Sequence, residues 1–275
     1  MIGVFDSGIG GLSILQALRT ELPQEDFIYI ADSGHAPYGE RDDAHVIARS
    51  RAITQHLLAG HSIKALVIAC NTATAAAIHL LRAEHPDLPI IGVEPALKPA
   101  IALSQTRRIG VMTTRGTLSS AKFNALLGSL AGQAEFICQP CDGLADAIEH
   151  SAEGKDQTSV ATNLIALCAH YTGSMGLFGP EPGQIDTLVL GCTHYPFVQD
   201  HLGDLLGPRI QLVATGEPVA RQTRRLLHTT GTLTQAHTTT GVGCIKLWTT
   251  GNPKALQAAA RRWLQLQGTA ELLCI

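Results

Sequence analysis

Short apolar runs alternate along the chain with stretches whose apolar residues recur every three to four positions. Ile2–Phe5, Phe27–Ala31, Ala65–Ala69 and Ile90–Val93 are continuous runs of the kind a strand buried on both faces presents. Leu12–Thr20, Ala44–Ala59 and Ala73–Glu84 carry helical spacing between them. The pattern then restarts. It predicts strands over Ile109–Met112, Ala134–Cys138, Thr187–Leu190, Ile210–Val213 and Ile245–Thr249. Helices are predicted over Leu118–Leu130, Asp142–Ser151, Ser159–Tyr171, Pro218–Leu227 and Pro253–Leu266. Such alternation implies an α/β fold with mainly parallel sheets. Thr172–Gln184, rich in Gly and Pro, and Thr229–Gly243, rich in Thr and Gly, read as surface loops.

A weak internal repeat refines this picture. Ala65-Leu66-Val67-Ile68-Ala69-Cys70-Asn71-Thr72 resembles Thr187-Leu188-Val189-Leu190-Gly191-Cys192-Thr193-His194. In each, an apolar strand ends in a small residue, a cysteine and two polar residues. The expectation is two pseudo-symmetric three-layer α/β lobes with an active-site cleft between them. One lobe spans 1–97 plus 212–275 and carries Cys70; the other spans 98–211 and carries Cys192. Ligands of open α/β sheets bind at the carboxyl ends of strands, where both cysteines fall.

Composition narrows the function. The 275 residues are 45% hydrophobic and 16% charged, ample for a packed core, and the net charge of −3 argues against nucleic acid or an anionic membrane as partner. No basic leader precedes Met1-Ile2-Gly3-Val4-Phe5-Asp6, and no apolar run is long enough for a membrane span, so a cytoplasmic location is expected. Seven scattered cysteines, an odd number, fit reduced thiols.

Cysteines are most often small core residues, and Cys168, Cys244 and Cys274 are read that way. Cys70 and Cys192 differ because Asn, Thr or His clusters follow each. Cys70 also precedes a helix starting near Thr72–Ala73, and a helix N-terminus favours a thiolate. His194 lies two residues beyond Cys192. Two thiols on opposite faces of a carbon acid can invert a stereocentre, one removing a proton and the other delivering one. Such a reaction needs donors that hold the carboxylate. Polar clusters at other strand ends suit this: Asp6-Ser7, Ala36-Pro37-Tyr38-Gly39 and Thr113-Thr114-Arg115-Gly116-Thr117. Asp6 and Thr117 are alternatively ordinary helix N-caps.

Other motifs add little. Gly8-Ile9-Gly10-Gly11 lacks both G-x-G-x-x-G and the Gly-Lys-Ser/Thr of a phosphate loop, and reads as a tight strand-to-helix turn. Cys138-x-x-Cys141 has no second ligand pair, and His150 and His170 are not at finger-like spacing, so no metal site is expected.

The motifs together closely resemble the glutamate racemases, cofactor-independent enzymes that make D-glutamate for peptidoglycan. The matching stretches are Gly3-Val4-Phe5-Asp6-Ser7-Gly8-Ile9-Gly10-Gly11, Asp32-Ser33 with Pro37-Tyr38-Gly39, Ile68-Ala69-Cys70-Asn71-Thr72-Ala73-Thr74, Gly92-Val93-Glu94-Pro95 and Leu190-Gly191-Cys192-Thr193-His194-Tyr195-Pro196. The resemblance implies that Cys70 acts on D-glutamate and Cys192 on L-glutamate, with Asp6 and His194 assisting the thiols. It implies that Asp6, Ser7, Tyr38, Gly39, Asn71, Thr72, Thr114, Thr117, Thr193 and His194 bind substrate. It also implies no cofactor and a homodimer. Glu149 sits where the family often has a carboxylate near the second thiol, in a more polar context than usual. Some members carry an N-terminal extension linked to activation by a cell-wall nucleotide precursor; this chain begins almost at its first strand, so that regulation is not expected.

Three rivals stand beside this reading. A racemase of aspartate or another small acid shares the fold and the cysteine pair, but the Cys70-Asn71-Thr72 and Tyr195-Pro196 contexts favour glutamate. A Cys–His hydrolase built on Cys192 and His194 leaves Cys70 idle, and residues at i and i+2 on such a turn often point apart. A two-lobed carboxylate-binding protein needs no cysteine pair.

Overall fold

The computed structural model describes residues 1–151, 157–234 and 242–275. The predicted loop over 229–243 therefore lies partly, at 235–241, outside the described residues. In chain order the elements are β1 (Ile2–Asp6), α1 (Leu12–Glu21), β2 (Phe27–Ala31), α2 (Asp43–His61), β3 (Ala65–Ile68), α3 (Asn71–Glu84), β4 (Ile90–Gly92), α4 (Leu97–Leu103) and β5 (Arg108–Thr113). They continue with α5 (Arg115–Ser119), α6 (Ala121–Ser129), β6 (Glu135–Pro140), α7 (Leu144–Ser151), α8 (Gln157–Gly173), β7 (Thr187–Leu190), α9 (Gln199–Leu206) and β8 (Gln211–Val213). The chain closes with α10 (Gly216–Thr229), β9 (Ile245–Thr249), α11 (Pro253–Leu264) and β10 (Ala270–Leu272). Short 3-10 turns lie at Ser33–His35, Tyr38–Glu40 and Tyr195–Val198.

The chain forms two compact units, Met1–Val93 with Gly216–Ile275, and Glu94–Thr215. The first holds a parallel sheet in the order β10-β9-β2-β1-β3-β4. Its central strands are buried on both faces, which is why they read as unbroken apolar runs. One face carries Phe5, Ile28, Ile30, Leu66 and Ile68, packed against Val46, Ile53 and Leu57 of α2 and Ala73, Ala77, Ile78 and Leu81 of α3. The second unit holds the parallel sheet β6-β5-β7-β8. There Ile109, Val111 and Val189 pack against Leu97 and Ala100 of α4 and Phe123 of α6.

The weak repeat has a structural counterpart. In each unit the first strand has the second on one side and the third, then the fourth, on the other. The connections therefore reverse direction between β1 and β3, and again between β5 and β7, and a ligand crevice opens at such switch points. Cys70 follows β3 and Cys192 follows β7.

Several local expectations change. The helix predicted over Leu118–Leu130 is two helices, because Ser120 adopts an extended backbone and its Oγ accepts the Phe123 amide, starting α6 anew. Cys70 itself caps α3, which begins at Asn71, two residues before Ala73. The strand ending at Cys138 runs on to Pro140. Thr172 and Gly173, expected in a loop, complete α8, and the excursion beyond is closed by hydrogen bonds from Gly179 and Ile185 to the Ile185 and Leu177 carbonyls. Cys168 is buried as expected, but Cys244 and Cys274 are exposed, one preceding β9 and the other following the edge strand β10. Among the described residues no helix is long and apolar enough to cross a membrane.

Candidate active site

The first cluster gathers at the carboxyl ends of β1 and β3. Cys70 is 6% exposed; its Sγ accepts the Ala73 amide of α3 at 3.5 Å and lies 3.9 Å from Ser7 Oγ. Asp6 is fully buried, and its Oδ2 accepts the Gly11 amide at 2.7 Å. Asp6 is therefore not the N-cap of α1, a position Gly11 occupies without a side-chain bond; it ties the glycine turn back to β1. A side chain at Gly11 would place a Cβ 2.6 Å from Asp6 Cβ and 2.9 Å from the Tyr29 hydroxyl, so only glycine fits this close approach. Asn71 is buried, and among the described residues its amide nitrogen and oxygen have no hydrogen-bond partner. Unpaired buried amides are costly, which sets this side chain apart from the other buried polar groups of the cluster. Thr72, the next residue in the chain, is half-buried, as is Gly39, which follows Tyr38.

Tyr38 is held by a residue that sequence reasoning quoted only as part of a motif. Buried Asp32 accepts from the Tyr38 hydroxyl at 2.5 Å, from Arg49 Nε and Nη2 at 2.9 Å each and from Thr250 Oγ1 at 2.7 Å, with His35 Nδ1 at 3.1 Å. Burial alone would push the Asp32 carboxyl up, but the bonds from Arg49, Tyr38 and Thr250 outweigh it and hold the group below the usual carboxylate value. Burial and the Asp32 charge hold the Tyr38 phenol well above its ordinary value, so it stays protonated as a donor to Asp32. Arg49 and Thr250 carried no signal in the sequence, because their link to Asp32 spans distant chain segments.

The second cluster gathers at the carboxyl ends of β5 and β7. Cys192 is 7% exposed, and its Sγ lies 3.7 Å from His194 Nδ1. The expectation that these side chains point apart is wrong. The Cys192 carbonyl accepts the Tyr195 amide, and the tight turn this closes brings the imidazole back over the thiol. Across the ring, His194 Nε2 is 2.8 Å from Glu149 Oε2. Burial would push the imidazolium down, but the hydrogen bonds and charges of Cys192 and Glu149 more than reverse that, holding His194 protonated well above the ordinary histidine value. Glu149, on α7, thus belongs to the cluster.

Thr114, not Thr117, caps α5: Thr114 Oγ1 accepts the Thr117 amide at 3.2 Å and donates to Thr117 Oγ1 at 3.0 Å. Thr117 and Thr193 are each 2% exposed. Cys138 and Cys141 are unbridged thiols, and burial pushes Cys138 up to about 11 and Cys141 higher, which disfavours a thiolate at either position. Among the described residues no group of three His, Cys, Asp or Glu side chains could hold a metal ion.

Each unit thus presents a thiol at its switch point with polar groups around it. The Asp/Glu/Hydantoin racemase family model matches residues 12–223. The chain belongs to that family of isomerases. More narrowly, it is 45% identical over 257 residues to the glutamate racemase of Ectopseudomonas mendocina, covering 94% of this chain and 92% of that protein. Its fold is similar to a glutamate racemase of Bacillus anthracis, with a TM-score of 0.84, 28% identity and coverage of 100% of this chain and 97% of the other. It is similar too to the Escherichia coli glutamate racemase in complex with L-glutamate and its activator UDP-MurNAc-ala, with a TM-score of 0.80, 29% identity and coverage of 99% and 97%.

Proposed function

We propose that this enzyme interconverts L- and D-glutamate by a two-base mechanism in which Cys70 and Cys192 exchange the α-proton on opposite faces of one bound substrate. The observation that carries the proposal is the matched placement of the two thiols, each following the third strand of its unit, next to the first. Their different neighbours fit different tasks. Cys192, beside the His194 imidazolium, is the group that removes the proton of L-glutamate; the imidazolium balances the thiolate and Glu149 balances the imidazolium. Cys70, whose Sγ accepts the Ala73 amide of α3, delivers a proton to the other face, and acts as the base toward D-glutamate.

In this reading Asp6 assists Cys70, and Ser7, Tyr38, Gly39, Asn71, Thr72, Thr114, Thr117 and Thr193 hold the ammonium and carboxylate groups. The unpartnered Asn71 amide supports such a role. Hydrogen bonds to the α-carboxylate limit the charge that builds up as the Cα proton leaves. No residue of the scheme calls on a cofactor. The family resemblance supports a cytoplasmic homodimer that supplies D-glutamate for peptidoglycan. Glutamate is preferred to aspartate because the relatives at 42–49% identity are glutamate racemases.

The test is incubation of the purified enzyme with L-glutamate, without pyridoxal phosphate, followed by circular dichroism. The optical signal decays to zero for the wild type and is unchanged with Cys70→Ser or Cys192→Ser. A wild type inert toward glutamate but active on aspartate would overturn the substrate, and a fully active single variant would overturn the mechanism.

A further inference from the structure

We propose that Thr113 is a positioning residue for Cys192: its hydroxyl pins the peptide that carries the thiol and so sets the aim of the proton transfer on the L-glutamate side. The inference rests on the two-thiol reading above and goes beyond it in naming what orients one of the thiols.

Thr113 is the last residue of β5 and is fully buried. Its Oγ1 donates to the Gly191 carbonyl at 2.9 Å, across the seam between β5 and β7. That carbonyl belongs to the peptide that joins Gly191 to Cys192. On the other side of Gly191, its amide donates to the Met112 carbonyl at 2.7 Å. The Cys192 carbonyl in turn accepts the Tyr195 amide at 3.1 Å. Both peptide planes flanking the Cys192 Cα are therefore fixed, one by a side chain and one by backbone. With both planes fixed, the direction of the Cα–Cβ bond is fixed, and with it the arc the Sγ sweeps.

The clamp has no slack. A Cβ on Gly191 would lie 2.7 Å from the Met112 carbonyl oxygen and 3.0 Å from Thr113 Cβ. The Thr113 backbone is itself held, because its carbonyl accepts the Cys141 amide, just past the end of β6, at 2.9 Å. The hydroxyl is the part that matters: valine has the same shape but no donor, and would leave the buried Gly191 carbonyl without its bond. The next residue, Thr114, is already committed to capping α5. At the first thiol a different device does this work, since Cys70 is itself the cap of α3.

Thr113→Val and Thr113→Ser test the proposal. Two enantiomers are equal in energy, so kcat/KM for L- and D-glutamate stays equal in every variant, and rates alone cannot report on one thiol. Primary isotope effects can. Thr113→Val is expected to lower kcat/KM about 10- to 100-fold, the scale of a misplaced catalytic group. As transfer at Cys192 becomes limiting, the α-deuterium effect on kcat/KM rises with L-glutamate and falls with D-glutamate. Thr113→Ser keeps the hydroxyl and returns both effects toward the wild type. Thermal unfolding by circular dichroism establishes that each variant is folded. A folded Thr113→Val with near-wild-type kcat/KM, or with the two isotope effects moving together, overturns the role of Thr113 alone. A wild type that does not racemise glutamate overturns the functional reading beneath it.

Discussion

At the scale of single residues, the two thiols differ more in their neighbours than in their own placement. Cys192 has an imidazolium and, beyond it, a carboxylate; Cys70 has a helix amide and a serine hydroxyl. The Glu149 carboxylate is one of the groups that keep His194 protonated, so Glu149→Gln is predicted to lower the pH at which His194 loses its proton. Imidazole NMR titration reads this directly, and the alkaline limb of kcat/KM shifts to lower pH with it. An unmoved titration would contradict the role given to Glu149. The cysteines and His194 were legible because each follows an apolar run that can only be a strand, and the family's motifs surround them. The Cys192–His194 contact was not legible. The local turn that folds the imidazole back depends on the Tyr195 amide meeting the Cys192 carbonyl, a backbone choice that residue spacing does not announce.

At the scale of elements, the site stands on strand ends and on the first residues after them. β2, β7 and β9 coincide with their predicted bounds because apolar runs bordered by turn residues define them. The elements missed are those with no such signature. α4 contains Pro99 and is short, α9 is a mostly polar segment with Gly203 inside it, and β10 is a three-residue edge strand that is largely exposed. The break between α5 and α6 hangs on the Ser120 cap. Ser120→Ala is predicted to cost about 1 kcal/mol, read as a lower urea midpoint with an unchanged slope. A variant as stable as the wild type would mean that α6 starts without that cap.

At the scale of the whole molecule, stability is expected to depend on pH from both sides. The folded-state value of Asp32 lies below the ordinary 3.8, so its contribution is complete above that pH and is lost as the pH falls through the folded value. The folded-state value of His194 lies above the ordinary 6.5, so its contribution is complete below that pH and is lost as the pH rises through the folded value. Urea unfolding across a pH series tests both limbs. Asp32→Asn flattens the acid limb and leaves the alkaline one; a variant whose acid limb matches the wild type would show that Asp32 is not its source. In the first unit's core, Phe5→Ala removes a fully buried ring packed between β strands, α2 and α3, and is predicted to cost about 3–5 kcal/mol in the same assay. A loss well under 1 kcal/mol would contradict that packing.

The central claim is that one enzyme uses two bases, and labelling early in the reaction tests it most directly. L-Glutamate is incubated with the enzyme in deuterated water, and both enantiomers are separated after a few per cent of conversion. The two-thiol account predicts that the D-glutamate formed carries deuterium at Cα while the remaining L-glutamate carries none, because the proton leaves to one thiol and the deuteron arrives from the other. D-Glutamate that retains the original proton, or equal labelling of both enantiomers at that stage, would contradict it.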